Sequence, residues 1–327
     1  MKRALLAAAL ALACSASRAA DFTKDAIGTT GSNFLITDQG ARGIAMGGAY
    51  SAVTNDAYSM YWNPAGLSRV PRTDASFEYT KSYEDISYQS AYVAQRINET
   101  GVLGLGWRYQ DYGLVTNTDI SGNTLGQFRP RDYVGEIGWG QSVFDLSDSE
   151  VDVTMGGTMR WIHSDYLLHS DGYSGDLGIL SRFYTGPYTY DVSAVAQNMG
   201  IGQNFDQKRD TLPFRARLGG AMFVTHELLV SVEAIIPINN VVTGALGVEY
   251  TLQIDRNMKL AMRAGFNSLN IESLNVESAA SCGLGLTVGN FTADYAFTPM
   301  GVLGDQIHHF SISFNLPNKA SRRYRER

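Results

Sequence analysis

The feature that most constrains this chain is an alternation of apolar and polar residues with a period of two, which runs through residues 73–316. Within one segment, Leu260 and Met262 share a face while Lys259 lies on the other. Successive side chains of a β-strand point to opposite faces, so the pattern predicts strands with one apolar and one polar side. About fourteen such segments follow one another, most of them roughly nine to thirteen residues long, whereas globular strands average about 5–6 residues.

Composition narrows the fold class further. Gly is frequent at 34 residues, Pro is scarce at 8, and charged residues make up only 18%, which argues against long helices, collagen and disorder. A formal net charge of −6 argues against nucleic acid as a partner. The 2 cysteines cannot form a disulfide framework.

The first residues have the order of a secretory signal peptide. Lys2 and Arg3 precede the apolar run 4–13, and small residues follow, so we expect cleavage after Ala19 and a signal peptide over 1–19. Beyond it no second apolar stretch approaches the roughly 18 residues that a membrane helix needs. The remaining alternatives are a membrane β-barrel and a soluble, exported β-sandwich or β-helix.

The joints between the segments favour the membrane barrel. Joints after even-numbered segments are tight turns, whereas most joints after odd-numbered segments are larger; the larger ones are 113–128, 164–172, 199–212, 267–278 and 299–307. Outer-membrane barrels have short periplasmic turns and longer outer loops. The sequence therefore predicts an all-β transmembrane antiparallel β-barrel of about 14 strands over 73–316, in the outer membrane of a Gram-negative-type bacterium.

Residues 20–72 do not alternate and form a separate unit. Gly43, Gly47 and Gly48 lie in a run of small residues, but no Gly-Lys-Ser/Thr follows and no strand precedes, which argues against a phosphate-binding loop. Small residues that pack tightly inside another structure explain the run better. Asn63-Pro64 is a turn signal where the chain leaves this segment.

The stretch from Gly40 to Leu67 resembles the N-terminal signature of the FadL-like outer-membrane proteins, and it is closer to their PorV/PorQ branch. Residues 295–304, followed by His308 and Ser311, resemble the C-terminal signature of that branch. The resemblance implies a 14-stranded barrel with an N-terminal hatch, residues 20–72, inside the lumen. The motif positions that it assigns to the hatch are Gly40, Arg42, Met46, Gly47, Gly48, Asn63, Pro64, Ala65 and Gly66.

The resemblance also implies two functions. FadL-type members pass hydrophobic small molecules across the outer membrane, and PorV-type members bind or shuttle cargo in type IX protein secretion. We expect passive transport of hydrophobic small molecules, with the secretion role as the alternative and a structural barrel without cargo as a third. The candidate contacts for a hydrophobic ligand are Ile44, Tyr50, Tyr61 and Trp62, which could equally serve hatch packing. The longest outer loops, 113–128 and 199–212, are polar and short, which argues against a greasy external groove.

No motif for catalysis or metal binding emerges, so we expect neither an enzyme nor a cofactor. His308 and His309 are adjacent, so on a strand they face opposite ways and cannot share one metal ion. The expected partners are outer-membrane lipid, a hydrophobic small molecule and, for the alternative, secretion-machinery or cargo proteins. A lateral outlet is expected at a Gly-weakened strand, with Gly101, Gly104 and Gly106 as candidates.

Alternation also assigns charged residues to the lumen face. These are Arg108, Glu136, Arg160, Arg215, Arg217, Glu233, Glu249, Lys259, Arg263 and Asp294. Opposite charges meet on neighbouring strands, which favours an ion-pair network that anchors the hatch; a polar path for solutes is the alternative. After the last strand, 317–327 form a basic tail, which even strand number assigns to the periplasm.

Overall fold

A computed structural model describes residues 24–144, 151–186, 188–205, 208–271, 276–301 and 306–316. Fourteen strands close into one barrel. Each pairs antiparallel with its neighbours, and β1 pairs with β16 to complete the ring. The predicted fold class is therefore confirmed. The predicted signal peptide and basic tail lie outside the described residues.

The strand bounds follow the predicted segments closely. The strands are β1 (Thr73–Lys81), β2 (Ser87–Arg96), β3 (Gly101–Asp111), β4 (Val115–Thr118), β5 (Thr124–Phe128), β6 (Arg131–Phe144), β7 (Val151–Asp165), β8 (His169–Thr185), β9 (Tyr188–Ile201), β10 (Arg215–Phe223), β11 (Leu228–Pro237), β12 (Thr243–Asp255), β13 (Met258–Asn267), β14 (Ala280–Val288), β15 (Phe291–Pro299) and β16 (Gln306–Leu316). Strands β4 and β5 stand apart from the barrel and form a hairpin within an outer loop.

Helices are few and short. The α-helices are Ala41–Ala45 and Ser59–Trp62, and the 3-10 helices are Lys24–Ala26, Asn33–Ile36, Pro64–Arg69, Ser268–Asn270 and Val276–Ala279. Among the described residues, none of the helices has the length and apolar character needed to cross a membrane. Most of the helical residues belong to the segment that precedes β1.

The two faces of the barrel wall have opposite character. Apolar side chains on the outer face are exposed: Leu105 is 53%, Met159 73% and Ile312 58% exposed. Inward-facing charged side chains are covered, and Arg108 and Glu136 are each only 5% exposed. This is the reverse of a soluble protein, because lipid surrounds the outer face and polar groups pair inside.

The wall is much taller on one side than on the other. Strands β7 and β8 have 15 and 17 residues, whereas β10 has 9. The expected outer loop at 164–172 is wrong, because β7 and β8 continue pairing up to Asp165 and His169. The polar residues there misled the prediction: Ser164 and Ser170 are buried on the inner face while Tyr173 stays exposed outside, so the alternation persists.

Candidate functional site

Residues 24–72, called here the N-terminal segment, make extensive contacts with the inner face of the barrel wall. Many of its large apolar side chains are fully buried, and Met46, Met60, Trp62 and Leu67 are each 0% exposed. The helix Pro64–Arg69 packs on β6, β7 and β8, and the helix Ala41–Ala45 packs on β13, β14 and β15. The segment thus contacts opposite sides of the wall.

Glycines on both partners allow the segment to touch the wall backbone to backbone. A Cβ added at Gly265 of β13 would lie 2.0 Å from the Gly47 nitrogen, and one added at Gly156 of β7 would lie 2.3 Å from the Pro64 carbonyl oxygen. Gly47 also has a positive φ of 66°, which L-residues rarely adopt. The glycine-rich composition therefore serves, at these positions, the fit between segment and wall.

The motif around Asn63 forms a rigid corner. The Asn63 Oδ1 accepts a hydrogen bond from the Ala65 amide (3.1 Å), and its Nδ2 donates to the Ser51 carbonyl oxygen (3.0 Å). Pro64 occupies the first turn of the following 3-10 helix, where its missing N–H costs nothing. Close packing at Gly66 completes the corner, because a Cβ there would meet the Thr54 side chain at 2.6 Å.

The candidate ligand contacts lie in the packed interior of the segment. The Trp62 ring meets Tyr50 and Tyr61 edge to face, with centroids 5.6 and 5.0 Å away, and the Arg217 guanidinium lies 4.7 Å from the Trp62 ring centroid. Ile44 is 6% exposed in a small cluster that includes Ala296. Ligand contact at these side chains stays a prediction, and it requires the segment to rearrange.

A first chain of buried charges spans β3, β6, β7 and β8. The Glu136 carboxylate accepts from the Nε of Arg108 and from the Nε of Arg160, each at 2.7 Å. Arg160 also pairs with Asp176 of β8. Arg160 reaches the N-terminal segment through the Met60 carbonyl oxygen at 3.4 Å. The chain therefore ties the wall to the segment.

A second chain lies on the other side of the lumen. Arg42 of the N-terminal segment pairs with Glu249 at 2.7 Å, Glu249 pairs with Arg263 at 2.6 Å, and Arg263 pairs with Asp294 at 2.6 Å. Arg42 is thus the one member contributed by the segment. The alternation of signs leaves each carboxylate in this chain next to a guanidinium.

The remaining predicted lumen charges have varied partners. Arg217 pairs with Glu233. Arg215 donates to the Tyr61 hydroxyl at 2.7 Å. Lys259 shares the face of Arg263 and is half-buried, and within the described residues no salt bridge includes it.

Sequence reasoning missed one ion-pair cluster near the periplasmic end. Asp191 of β9 accepts from Arg69 at 2.9 Å and from Arg182 at 2.8 Å. Alternation within β8 and β9 places Arg182 and Asp191 on the inner face, so the signal was present. Arg69 could not be found this way because it belongs to the non-alternating segment.

The expected lateral outlet at the β3 glycines is closed. Strand β3 pairs without interruption with β6 from Gly101 to Asp111, and a Cβ at Gly104 would lie 2.3 Å from the Met60 sulfur. These glycines therefore accommodate side chains. A wall irregularity lies instead between β8 and β9, where the register shifts and Asn198 has a positive φ of 59°.

An apolar cleft of about 560 Å³ opens at the outer end of the tall side of the wall, next to β7 and β8. The expectation that the outer loops form no apolar groove is therefore corrected. Its lining residues are Tyr112, Val115, Phe128, Pro130, Tyr166, Leu167, Leu168 and Phe205. No single loop is apolar throughout, because the β3–β6 connection, the short β7–β8 turn and the β9–β10 loop each contribute some of these side chains. The sequence signal was the pair Leu167-Leu168, a dipeptide too short to stand out.

The aromatic side chains of the cleft are held in place. Tyr166 stacks on Phe205 with ring centroids 5.5 Å apart, and Tyr112 meets Tyr166 edge to face at 6.2 Å. Both phenol hydroxyls donate to the Asp132 carboxylate, Tyr112 at 2.6 Å and Tyr166 at 3.0 Å. The two phenol hydroxyls therefore point away from the cleft, and the rings of Tyr112 and Tyr166 line it.

Burial and the nearby carboxylate raise the pKa values of both loop tyrosines. Burial, reinforced by the charge of Asp132, raises the pKa of Tyr166 to about 12. The same two causes raise the pKa of Tyr112 well above its ordinary value. Both phenols are therefore protonated donors at neutral pH. Among the described residues, no group of three or more His, Cys, Asp or Glu side chains is arranged to hold a metal ion.

Comparisons with known proteins relate the chain to others through structure alone. No family model and no curated protein matches the sequence. A FadL homologue of Pseudomonas aeruginosa superposes with a TM-score of 0.55 at 10% identity, over 86% of this chain and 99% of that chain. The Pseudomonas putida toluene transporter TodX gives 0.54 at 12%, over 85% and 96%. The Ralstonia pickettii toluene transporter TbuX gives 0.53 at 12%, over 86% and 97%.

At identities this low, the superpositions show a shared fold and no more. The closed antiparallel barrel with an apolar exterior is the architecture of outer-membrane proteins, so the predicted localisation is confirmed. The chain is an outer-membrane β-barrel with the fold of the FadL-like transporters.

Proposed function

We propose that the protein is a FadL-like channel for passive uptake of hydrophobic small molecules, and that the outer cleft captures them. The apolar cleft carries this proposal. Its volume of about 560 Å³ falls within the range of ligand sites in proteins, roughly 300–1,000 Å³. Structural neighbours with toluene as their stated cargo support the same class of ligand.

The chemistry of the lining suits an uncharged ligand. Four of the lining side chains are aromatic and none is charged. An aromatic ring buries about 150 Å², and at about 25 cal/mol per Å² this contributes about 4 kcal/mol, which corresponds to a Kd of roughly 1 mM. Weak, reversible capture of this strength suits a site that must pass its ligand onward.

The N-terminal segment acts in this proposal as a hatch that closes the lumen. Its backbone contacts at Gly265 and Gly156 and its ion pair between Arg42 and Glu249 support that role. We assign the hatch to residues 20–72, the barrel to 73–316, the signal peptide to 1–19 and the basic periplasmic tail to 317–327. The PorV/PorQ resemblance rests on the two sequence motifs alone and stays a prediction.

A pair of leucine variants tests the capture site. Leu168 lines the cleft and is 58% exposed, whereas Leu125 on the β5 hairpin does not line it and is 65% exposed. We expect Leu168→Asn to weaken binding of radiolabelled toluene to the protein in nanodiscs by about tenfold, since about 1.4 kcal/mol of apolar contact is lost. Leu125→Asn serves as the matched control.

Two results would contradict the proposal. One is the absence of saturable toluene binding by the unaltered protein. The other is equal binding by the two leucine variants. A stoichiometric protein partner that co-purifies with a barrel unable to bind toluene would instead support the secretion role.

A further inference from the structure

The cleft ends on a carboxylate that is shared by several hydroxyl groups. Asp132, the second residue of β6, is 1% exposed. It accepts hydrogen bonds from Tyr112 at 2.6 Å and Tyr166 at 3.0 Å, and also from Ser164 of β7. The donors come from two separate parts of the chain, the end of β3 and the end of β7 with its turn, so Asp132 holds both against the rim of the wall.

Asp132 also faces the lumen, so it lies at the boundary between two spaces. It shares the inner face of β6 with Val134, and it lines a cavity of about 10 Å³ together with Phe34, Arg108 and Gln110. Just below, an apolar cluster joins the N-terminal segment to the wall; its members are Phe34, Leu35, Val134, Ile162 and Leu212. The tyrosine rings face the cleft on one side, and the cluster lies on the other.

The Asp132 carboxylate takes its side-chain hydrogen bonds from neutral groups. Within the described residues, no salt bridge includes Asp132, and its side-chain donors are hydroxyl groups. Hydrogen bonds to an ionised acceptor are roughly twice as strong as neutral ones. A buried carboxylate without a cation carries a desolvation cost that a neutral residue would avoid. The charge therefore makes the tyrosines harder to displace.

A hydrogen-bonded path links this boundary to the N-terminal segment. The Gln203 Nε2 donates to the Ser164 hydroxyl at 2.9 Å, and the Ser32 hydroxyl donates to the Gln203 Oε1 at 2.8 Å. Ser32 belongs to the segment, and Gln203 belongs to the same outer loop as Phe205 of the cleft. Displacement of the tyrosines thus disturbs contacts of the segment as well.

We propose that Asp132 is the positioning residue of a gate, formed by Tyr112 and Tyr166, that separates the cleft from the lumen. This inference rests on the proposed uptake function and adds the step that follows capture. A ligand in the cleft passes inward when the two phenols leave Asp132 and their rings swing aside. The ligand then contacts the apolar cluster that includes Phe34, after the N-terminal segment has moved away from the wall.

The test separates binding from passage. Asp132→Asn keeps the shape but removes the charge, and Asp119→Asn in the β4–β5 hairpin turn, where Asp119 accepts backbone hydrogen bonds, is the matched control. We expect Asp132→Asn to raise the maximal rate of toluene uptake into proteoliposomes by about tenfold, since the amide oxygen is a neutral acceptor and the amide nitrogen cannot accept the bond made to the second carboxylate oxygen. The toluene concentration for half-maximal binding to the cleft stays unchanged.

A second variant guards against misfolding. Tyr112→Phe combined with Tyr166→Phe removes both gate hydroxyls and leaves the carboxylate, and we expect the same rise in uptake. Folding of every variant is checked by its heat-dependent migration on gels. A purely structural role for Asp132 predicts a lower uptake in step with a lower folded fraction, and that result overturns the gate.

The outcome also distinguishes the two proposals. If the unaltered protein takes up toluene and both gate variants match Asp119→Asn in rate, the gate is wrong and the uptake function stands. If the unaltered protein neither binds nor takes up toluene, the uptake function itself is wrong, and the gate falls with it.

Discussion

Gly156→Ala should loosen the hatch from the wall. The added Cβ would lie 2.3 Å from the carbonyl carbon and oxygen of Pro64, about 1 Å short of the 3.4 Å at which ordinary contact begins. Neither partner can rotate away, because both contacting atoms belong to the backbone. The Pro64–Arg69 helix must therefore shift from β7 or strain against it.

Overpacking of this kind costs about 1–3 kcal/mol. If about 2 kcal/mol of that strain falls on the closed arrangement alone, the population with a displaced hatch rises roughly 30-fold. The assay is ion conductance in planar bilayers, where a filled lumen passes little current. We expect Gly156→Ala to show more frequent open events than the unaltered protein.

The control is Gly244→Ala on β12, where the added Cβ would lie 4.0 Å from its nearest neighbour, the Glu233 carbonyl oxygen. It makes the same chemical change on the outer face of the wall. Deletion of residues 21–70 sets the upper limit of conductance. Equal conductance of the two alanine variants would refute the reasoning that this contact holds the hatch closed.

Two further predictions concern buried charge and the loop tyrosines. Glu136→Gln leaves Arg108 and Arg160 without their shared carboxylate, so we expect a loss of about 3–5 kcal/mol in the free energy of unfolding by urea. Glu227→Gln in an exposed turn should be neutral, and equal losses in both would contradict the prediction. In alkaline difference spectra against Tyr166→Phe, the Tyr166 phenol should titrate near its raised pKa of about 12. Asp132→Asn should lower that pKa, because the contribution of the carboxylate is lost while that of burial stays, and an unmoved titration would mean that Asp132 has no influence on the phenol.

The strands were predictable because their signal is local. Side chains alternate along any extended backbone, so the faces of β13 could be assigned from Leu260, Met262 and Arg263 without knowing their partners. The same logic assigned Glu136 and Arg160 to the lumen, where the structure pairs them. The number of strands followed from counting the alternating segments, because consecutive segments of an antiparallel barrel pair with each other.

The cleft was not predictable for the opposite reason. Its lining comes from loops that are far apart in the chain, and each contributes only a few apolar side chains, such as Val115, Leu168 and Phe205. A loop that is polar on average can still give an apolar wall when those few side chains converge. The acceptor Asp132 was also invisible, since nothing nearby in sequence predicts that Tyr112 and Tyr166 would meet it.

The unequal height of the wall determines where a ligand is met. Arg215, the first residue of β10, pairs with Gln197, and β8 continues for residues 169–175 beyond that level. At about 3.3 Å per residue this is about 23 Å of strand, and a tilt of about 40° converts it to roughly 18 Å of height. The outer end of β8, next to the cleft, therefore stands above the level at which β10 begins. Under the proposed uptake function, the capture site lies above the rim of the low side of the barrel.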